Sequence, residues 1–139
     1  MTGFNKIAVF VFLFSLLMLG GCDTADDNNP SPVPDARDKF VGNWNVTEIC
    51  SKSNYVVTID KDPSNSAQVL INNFADAKAV QPDTAIIAGS SIVLYAQVNS
   101  ENWLLEGSGH YNSDETIDWA YALTIGGTQD NCTATYVKN

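Results

Sequence analysis

Ile117, Trp119, Tyr121, Leu123 and Ile125 alternate with Asp118, Ala120, Ala122 and Thr124. A period of two marks a strand with one buried face. The same reading predicts strands at Trp44–Cys50, Tyr55–Asp60, Ala67–Phe74, Thr84–Ala88, Ile92–Val98, Trp103–Tyr111, Ile117–Ile125 and Cys132–Lys138. The breaks carry turn chemistry, as in Ser51-Lys52-Ser53-Asn54, Asp62-Pro63-Ser64-Asn65, Asn99-Ser100-Glu101-Asn102 and Gly126-Gly127. Only the stretch around Ala75 to Asp83 is longer, and Pro82 ends any helix there. Parallel neighbours need crossovers of about a dozen residues, and these links are mostly shorter. The expectation is an all-β fold: an antiparallel up-and-down meander of about eight strands, closed as a barrel or rolled as a sheet. Ala36 to Val41 precedes it as one helical turn.

Trp103, Leu105, Gly107, Gly109 and Tyr111 share a face of the sixth candidate strand. Glycines among large residues let a strand bend, or leave room beside an aromatic or a ligand.

The N-terminus follows a different pattern. Ile7 to Leu19 is almost continuously apolar, with Lys6 as the one charge before it. That run is shorter than the roughly 20 residues a membrane-spanning helix needs. A charged start, a short apolar stretch and small residues before a break predict a secretory signal over residues 1–21. Leu19-Gly20-Gly21-Cys22 resembles the lipobox of bacterial lipoproteins. The resemblance implies cleavage before Cys22, a diacylglycerol on its sulfur and an acyl chain such as palmitate on its amine. The membrane partner is then reached through Cys22, because two or three acyl chains hold a protein stably on a bilayer. Residues 22–35, with Asp26-Asp27-Asn28-Asn29-Pro30-Ser31-Pro32-Val33-Pro34, hold no large side chain to bury and read as a disordered acidic, proline-rich tether. Asp23, Asp26 and Asp27 look like the export tag of surface lipoproteins in one group of Gram-negative bacteria. They point to the outer membrane, facing outward. Asp23 read by the enteric sorting rule points instead to the inner membrane, facing the periplasm.

The chain has 7 basic and 16 acidic residues, and removing the signal takes away only Lys6. So acidic a chain is repelled by phosphate backbones, which argues against a nucleic-acid partner. With Cys22 lipidated, Cys50 and Cys132 remain as an even pair in an exported chain, and read as a disulfide. In a closed barrel with an even number of strands, the first strand pairs antiparallel with the last. Cys50 ends the first candidate strand and Cys132 opens the last, so their bond would bolt the closing seam.

Phe40-Val41-Gly42-Asn43-Trp44 opens the domain predicted over residues 36–139. Gly-x-Trp after a short helical turn resembles the start of lipocalins and other calycin barrels. The resemblance implies that Trp44 plugs the closed end and that Gly42 makes the tight entry. It also implies a basic residue of the last strand over the tryptophan, for which Lys138 is the candidate. The pattern is similar to the small lipocalin-like domains of bacterial surface lipoproteins. A small secreted metalloprotease-inhibitor barrel, which also opens with Gly-x-Trp and carries one disulfide, is the competing relative.

Catalytic chemistry finds no support in the residues. His110 is the one histidine, on the face opposite Trp103 and Tyr111, and bonded cysteines supply no nucleophile. Asp60, Asp62 and Asn65 carry oxygen ligands but lack the closing glutamate of a calcium loop, and read as a hairpin turn. The expectation is therefore no enzyme, no metal and no cofactor. Glu48 shares the Trp44 face, where a buried carboxylate needs a partner: a ligand head or a neighbour such as Tyr121. Two function classes stand. One is a carrier of a small apolar or amphipathic ligand, with Glu48, Trp103, Leu105, Tyr111, Trp119, Tyr121 and Leu123 lining the cavity. The other is a solid barrel that engages a surface protein or glycan, or inhibits a protease.

Overall fold

The computed structural model describes residues 32–139. The lipobox residues Leu19, Gly20, Gly21 and Cys22, and most of the tether, lie outside the described residues. Eight strands follow in order: β1 (Gly42–Glu48), β2 (Asn54–Lys61), β3 (Gln68–Asn72), β4 (Asp83–Ala88), β5 (Ser91–Val98), β6 (Leu104–Tyr111), β7 (Thr116–Ile125) and β8 (Thr128–Lys138). Each pairs antiparallel with the next, and β8 returns to β1, closing an up-and-down barrel. Closure removes the exposed edges that an open sheet would present.

Alternation sets the inside. Trp44, Val46 and Glu48 of β1 point inward, as do Val57 and Ile59 of β2, Val69 and Ile71 of β3, and Cys132, Ala134 and Tyr136 of β8. The seam registers Val46 with Tyr136 and Glu48 with Ala134. Cys50, just beyond β1, meets Cys132 at disulfide distance across that seam, with sulfurs 2.06 Å apart.

Gly107 and Gly109 face Tyr121 and Trp119 across the β6–β7 pair. A Cβ on Gly107 would lie 2.4 Å from the Tyr121 Cβ, and one on Gly109 would lie 2.9 Å from the Trp119 ring. The room left by the glycines is therefore taken by the protein's own aromatics.

Two poles result from the meander. At one, residues 36–40 form a turn in which the Phe40 N–H donates to the Arg37 carbonyl. The Arg37 guanidinium is held by Asp35 and donates to the carbonyls of Asp62, Asn65 and Gln68, tying this turn to the β2–β3 loop. In that loop Asp62 accepts from the Ser64 N–H and hydroxyl, and Asn65 accepts from the Ala67 N–H, so both are turn residues. At the other pole, the chain between β3 and β4 crosses the mouth through a 3-10 turn, Phe74–Asp76. Phe74, predicted as the end of a strand, instead starts this turn because Asn73 takes a left-handed conformation (φ 65°) and breaks the alternation.

Candidate functional site

The plugged pole is tightly packed. Trp44 is fully buried, and its indole N–H donates to the Phe40 carbonyl at 2.8 Å. Tyr111 meets both Phe40 and Trp44 edge-on. The Lys138 ammonium stands 5.3 Å from the Trp44 ring centre, and its carbon stem runs 3.4 Å from the position a Gly42 Cβ would take. Gly42 has φ 131°, a conformation that a side chain would strain. Tyr111, expected to line a cavity, is thus part of this plug.

The other half of the interior is polar. Glu48 is 4% exposed; its Oε2 accepts from the Ser51 hydroxyl, and its Oε1 has no partner. The hydroxyls of Tyr55, Tyr121 and Tyr136 and the indole N–H of Trp119 are likewise buried and unpartnered among the described residues. Trp119, Tyr121 and Tyr136 form one connected set through Phe74. The Trp119 and Tyr136 rings are 5.8 Å apart, and Phe74 sits edge-on to Trp119 and Tyr121 at 5.0 and 4.9 Å. Burial, then the charge of Glu48, pushes the Tyr55 phenol far above its ordinary range. Tyr136 is raised by burial, by Tyr55, and by the charges of Glu48 and Asp83. The Tyr55 and Tyr136 hydroxyls influence each other's ionisation, yet neither meets hydrogen-bond geometry. Asp83, on β4, is 3% exposed, and burial alone pushes its carboxyl up to about 6.

Such groups are rarely left unsatisfied in a folded interior, because an unpaired buried donor or acceptor costs about 1–3 kcal/mol. A molecule with its own donors and acceptors would relieve that cost.

Access is shaped by two features. First, the segment over the mouth is strained: Asn73, Ala75, Asp76 and Lys78 take φ of 65°, 54°, 53° and 52°. Non-glycine residues in this region cost on the order of 1–3 kcal/mol each. Burial of Phe74 and Ala75 holds the segment down, with the Asn73 amide donating to the Val56 carbonyl. Second, β4 and β5 pair only from Ile86–Val93 to Ala88–Ser91. Above that, β5 has a register shift between Leu94 and Gln97. There the Gln97 side chain replaces the ladder, accepting from the Thr84 N–H and donating to the Thr84 carbonyl. Asp83 is the next residue, so this seam borders the polar interior.

Of the predicted lining residues, Leu105, Trp119 and Tyr121 are buried together in the core, Leu123 packs half-buried against it, and Glu48 is buried. Trp103 lies elsewhere. It precedes β6 rather than belonging to it, is half-buried, and its N–H is held by the Asn99 side chain at the β5–β6 turn. Glu48 takes Ser51 rather than Tyr121 as its neighbouring donor. His110 is exposed. The sequence reading missed Tyr55, Asp83, Tyr136 and Phe74. Continuing the Ala85, Ile87 parity back one step to Asp83, just after Pro82, would have placed Asp83 inside. The Cys132, Ala134 parity would have done the same for Tyr136. The closed eight-stranded meander is compatible with a lipocalin-like barrel. The chain matches no protein-family model, and no curated protein matches it.

Proposed function

We propose that this protein is a lipid-anchored, lipocalin-like carrier that takes one small amphipathic molecule, polar head inward, into the half of the barrel beneath Phe74. The observation that carries the reading is the set of unpartnered polar atoms on Glu48, Tyr55, Trp119, Tyr121 and Tyr136 inside an otherwise apolar core. An eight-stranded barrel is wide enough to be filled by side chains or to hold one small ligand. The plug at the other pole and the buried aromatic rings keep that ligand small. The Gly42–Trp44 motif, with Lys138 over the tryptophan, supports kinship with lipocalins. The Leu19–Cys22 motif supports the anchor, and the acidic run after it supports the outer membrane, facing outward. Native mass spectrometry of the protein purified from its own envelope tests the reading. A bound mass of a few hundred daltons or less, lost on organic extraction, supports it. A bare mass from that source, at stoichiometric recovery, overturns it.

One observation favours a second reading, a surface interaction module. Val80, Val98, Leu104 and Ile125 are exposed around the capped pole, where Val98 pairs with Leu104. Exposed apolar residues grouped at one rim mark contact surfaces more often than scattered ones do. A bare mass would shift the weight to this rim and to a protein or glycan partner.

A further inference from the structure

The polar interior has a sign. Its two buried charged residues, Glu48 on β1 and Asp83 on β4, are both carboxyls. Both act on the fully buried Tyr136, whose hydroxyl is unpartnered, and the Asp76 carboxylate of the cap acts on Tyr55. No base pairs with them among the described residues. Among the described residues the ion pairs join only Asp35, Arg37, Asp38 and Lys61, at the plugged pole. Lys52 and Lys78, on the loops around the mouth, are exposed and form no ion pair among those residues.

A buried carboxylate is stable when a counter-charge and hydrogen-bond donors meet it. The orphan oxygens of Glu48, Tyr55 and Tyr136 can each accept a hydrogen bond. The ring faces of Tyr136 and Trp119, tilted at 40° to each other, attract a cation. A ligand carboxylate would add a further negative charge to this space. A divalent metal would need more oxygen ligands, and no three acidic, histidine or cysteine side chains gather as a metal site among the described residues. An ammonium supplies charge and three donors in one compact group.

We propose that the ligand of this barrel is an organic cation, a short apolar body with an ammonium head, and that Glu48 and Asp83 select the charge while Tyr55, Tyr136 and Trp119 surround the head. This rests on the carrier reading.

The test uses the full chain purified in maltoside micelles, with free ligand set by dialysis at pH 8. The probes are three molecules of one length: hexylammonium, 1-hexanol and hexanoate. The readouts are the Trp119 indole N–H resonance and tryptophan fluorescence. Hexylammonium should move the Trp119 signal and bind at least tenfold more tightly than 1-hexanol, with hexanoate weakest. Glu48→Gln and Asp83→Asn should each lower hexylammonium affinity at least tenfold, and at least fivefold more than they lower 1-hexanol affinity. Equal or tighter binding of 1-hexanol or hexanoate overturns the cation assignment and leaves the carrier standing. So does hexylammonium binding that neither substitution weakens. If none of the three moves Trp119, both proposals fall. Asp83→Asn removes a buried charge without changing shape, so it keeps the test open should Glu48→Gln fail to fold.

Discussion

Asp83 is a carboxyl that the fold holds out of water without a counter-charge, and its removal has a calculable effect. Burial raises its pKa from the ordinary 3.8 to about 6. The folded state therefore holds the proton more tightly than the unfolded state does. Stability from this group is fully present below about pH 4 and is lost as pH rises through 6. At about 1.4 kcal/mol for each pH unit between the two values, the loss is about 3 kcal/mol by pH 8. Asp83→Asn keeps the shape and cannot ionise, so it escapes that loss. Asp35, Asp62 and Asp114 are held below their ordinary range and slope the other way, but they are common to both proteins and cancel in the comparison. Urea unfolding of both proteins at pH 4 and pH 8 measures the difference. The variant's stability relative to the parent should improve by about 2.5 kcal/mol between the two pH values. A difference that stays within about 0.5 kcal/mol at both would show that Asp83 is solvated or paired, and would refute the reasoning.

Three further outcomes follow from the geometry. Replacing Cys50 and Cys132 together by serine opens a link between residues 82 apart in sequence, and should destabilise the barrel by about 4.5 kcal/mol on the chain-entropy account. Denaturant unfolding of the double variant reads this. Gly107→Ala sets a methyl 2.6 Å from the Ala120 carbonyl oxygen as well as against Tyr121, and neither is a flexible tip. It should lose about 3 kcal/mol or more, seen as a lower melting temperature. Lys138→Met keeps the stem over Trp44 but removes the charge, and should lose only about 0.5–1 kcal/mol with Trp44 fluorescence unchanged in wavelength.

The barrel was legible because alternation is a local signal and each turn declares itself by composition. Eight predicted strands correspond to eight observed, with ends displaced by a few residues. The inward Glu48 followed from its parity with Trp44. What sequence left hidden depends on backbone conformation or on pairing. Asn73 and Ala75 turn left-handed without a glycine to announce it, and this carries Phe74 off its strand and over the mouth. Trp103 shares parity with Leu105, yet the Asn99 side chain ends the strand before it by capturing its N–H. Gly107 and Gly109 could be read as a bend or a vacancy. Only the register opposite Tyr121 and Trp119 shows the space as occupied.

The Gln97 amide gives the wall a hinge in time as well as in space. Elsewhere around the ring, two strands separate only when several backbone bonds break together. At Thr84 the N–H is covered by one side chain, which leaves by rotating about its own bonds. Side-chain rotations are faster than strand separation by orders of magnitude. The Thr84 amide should therefore exchange with solvent far faster than its place within a strand implies, on a clock set by one glutamine rather than by unfolding. On the carrier reading, a guest would pass at this point while the backbone ladder keeps the barrel closed elsewhere.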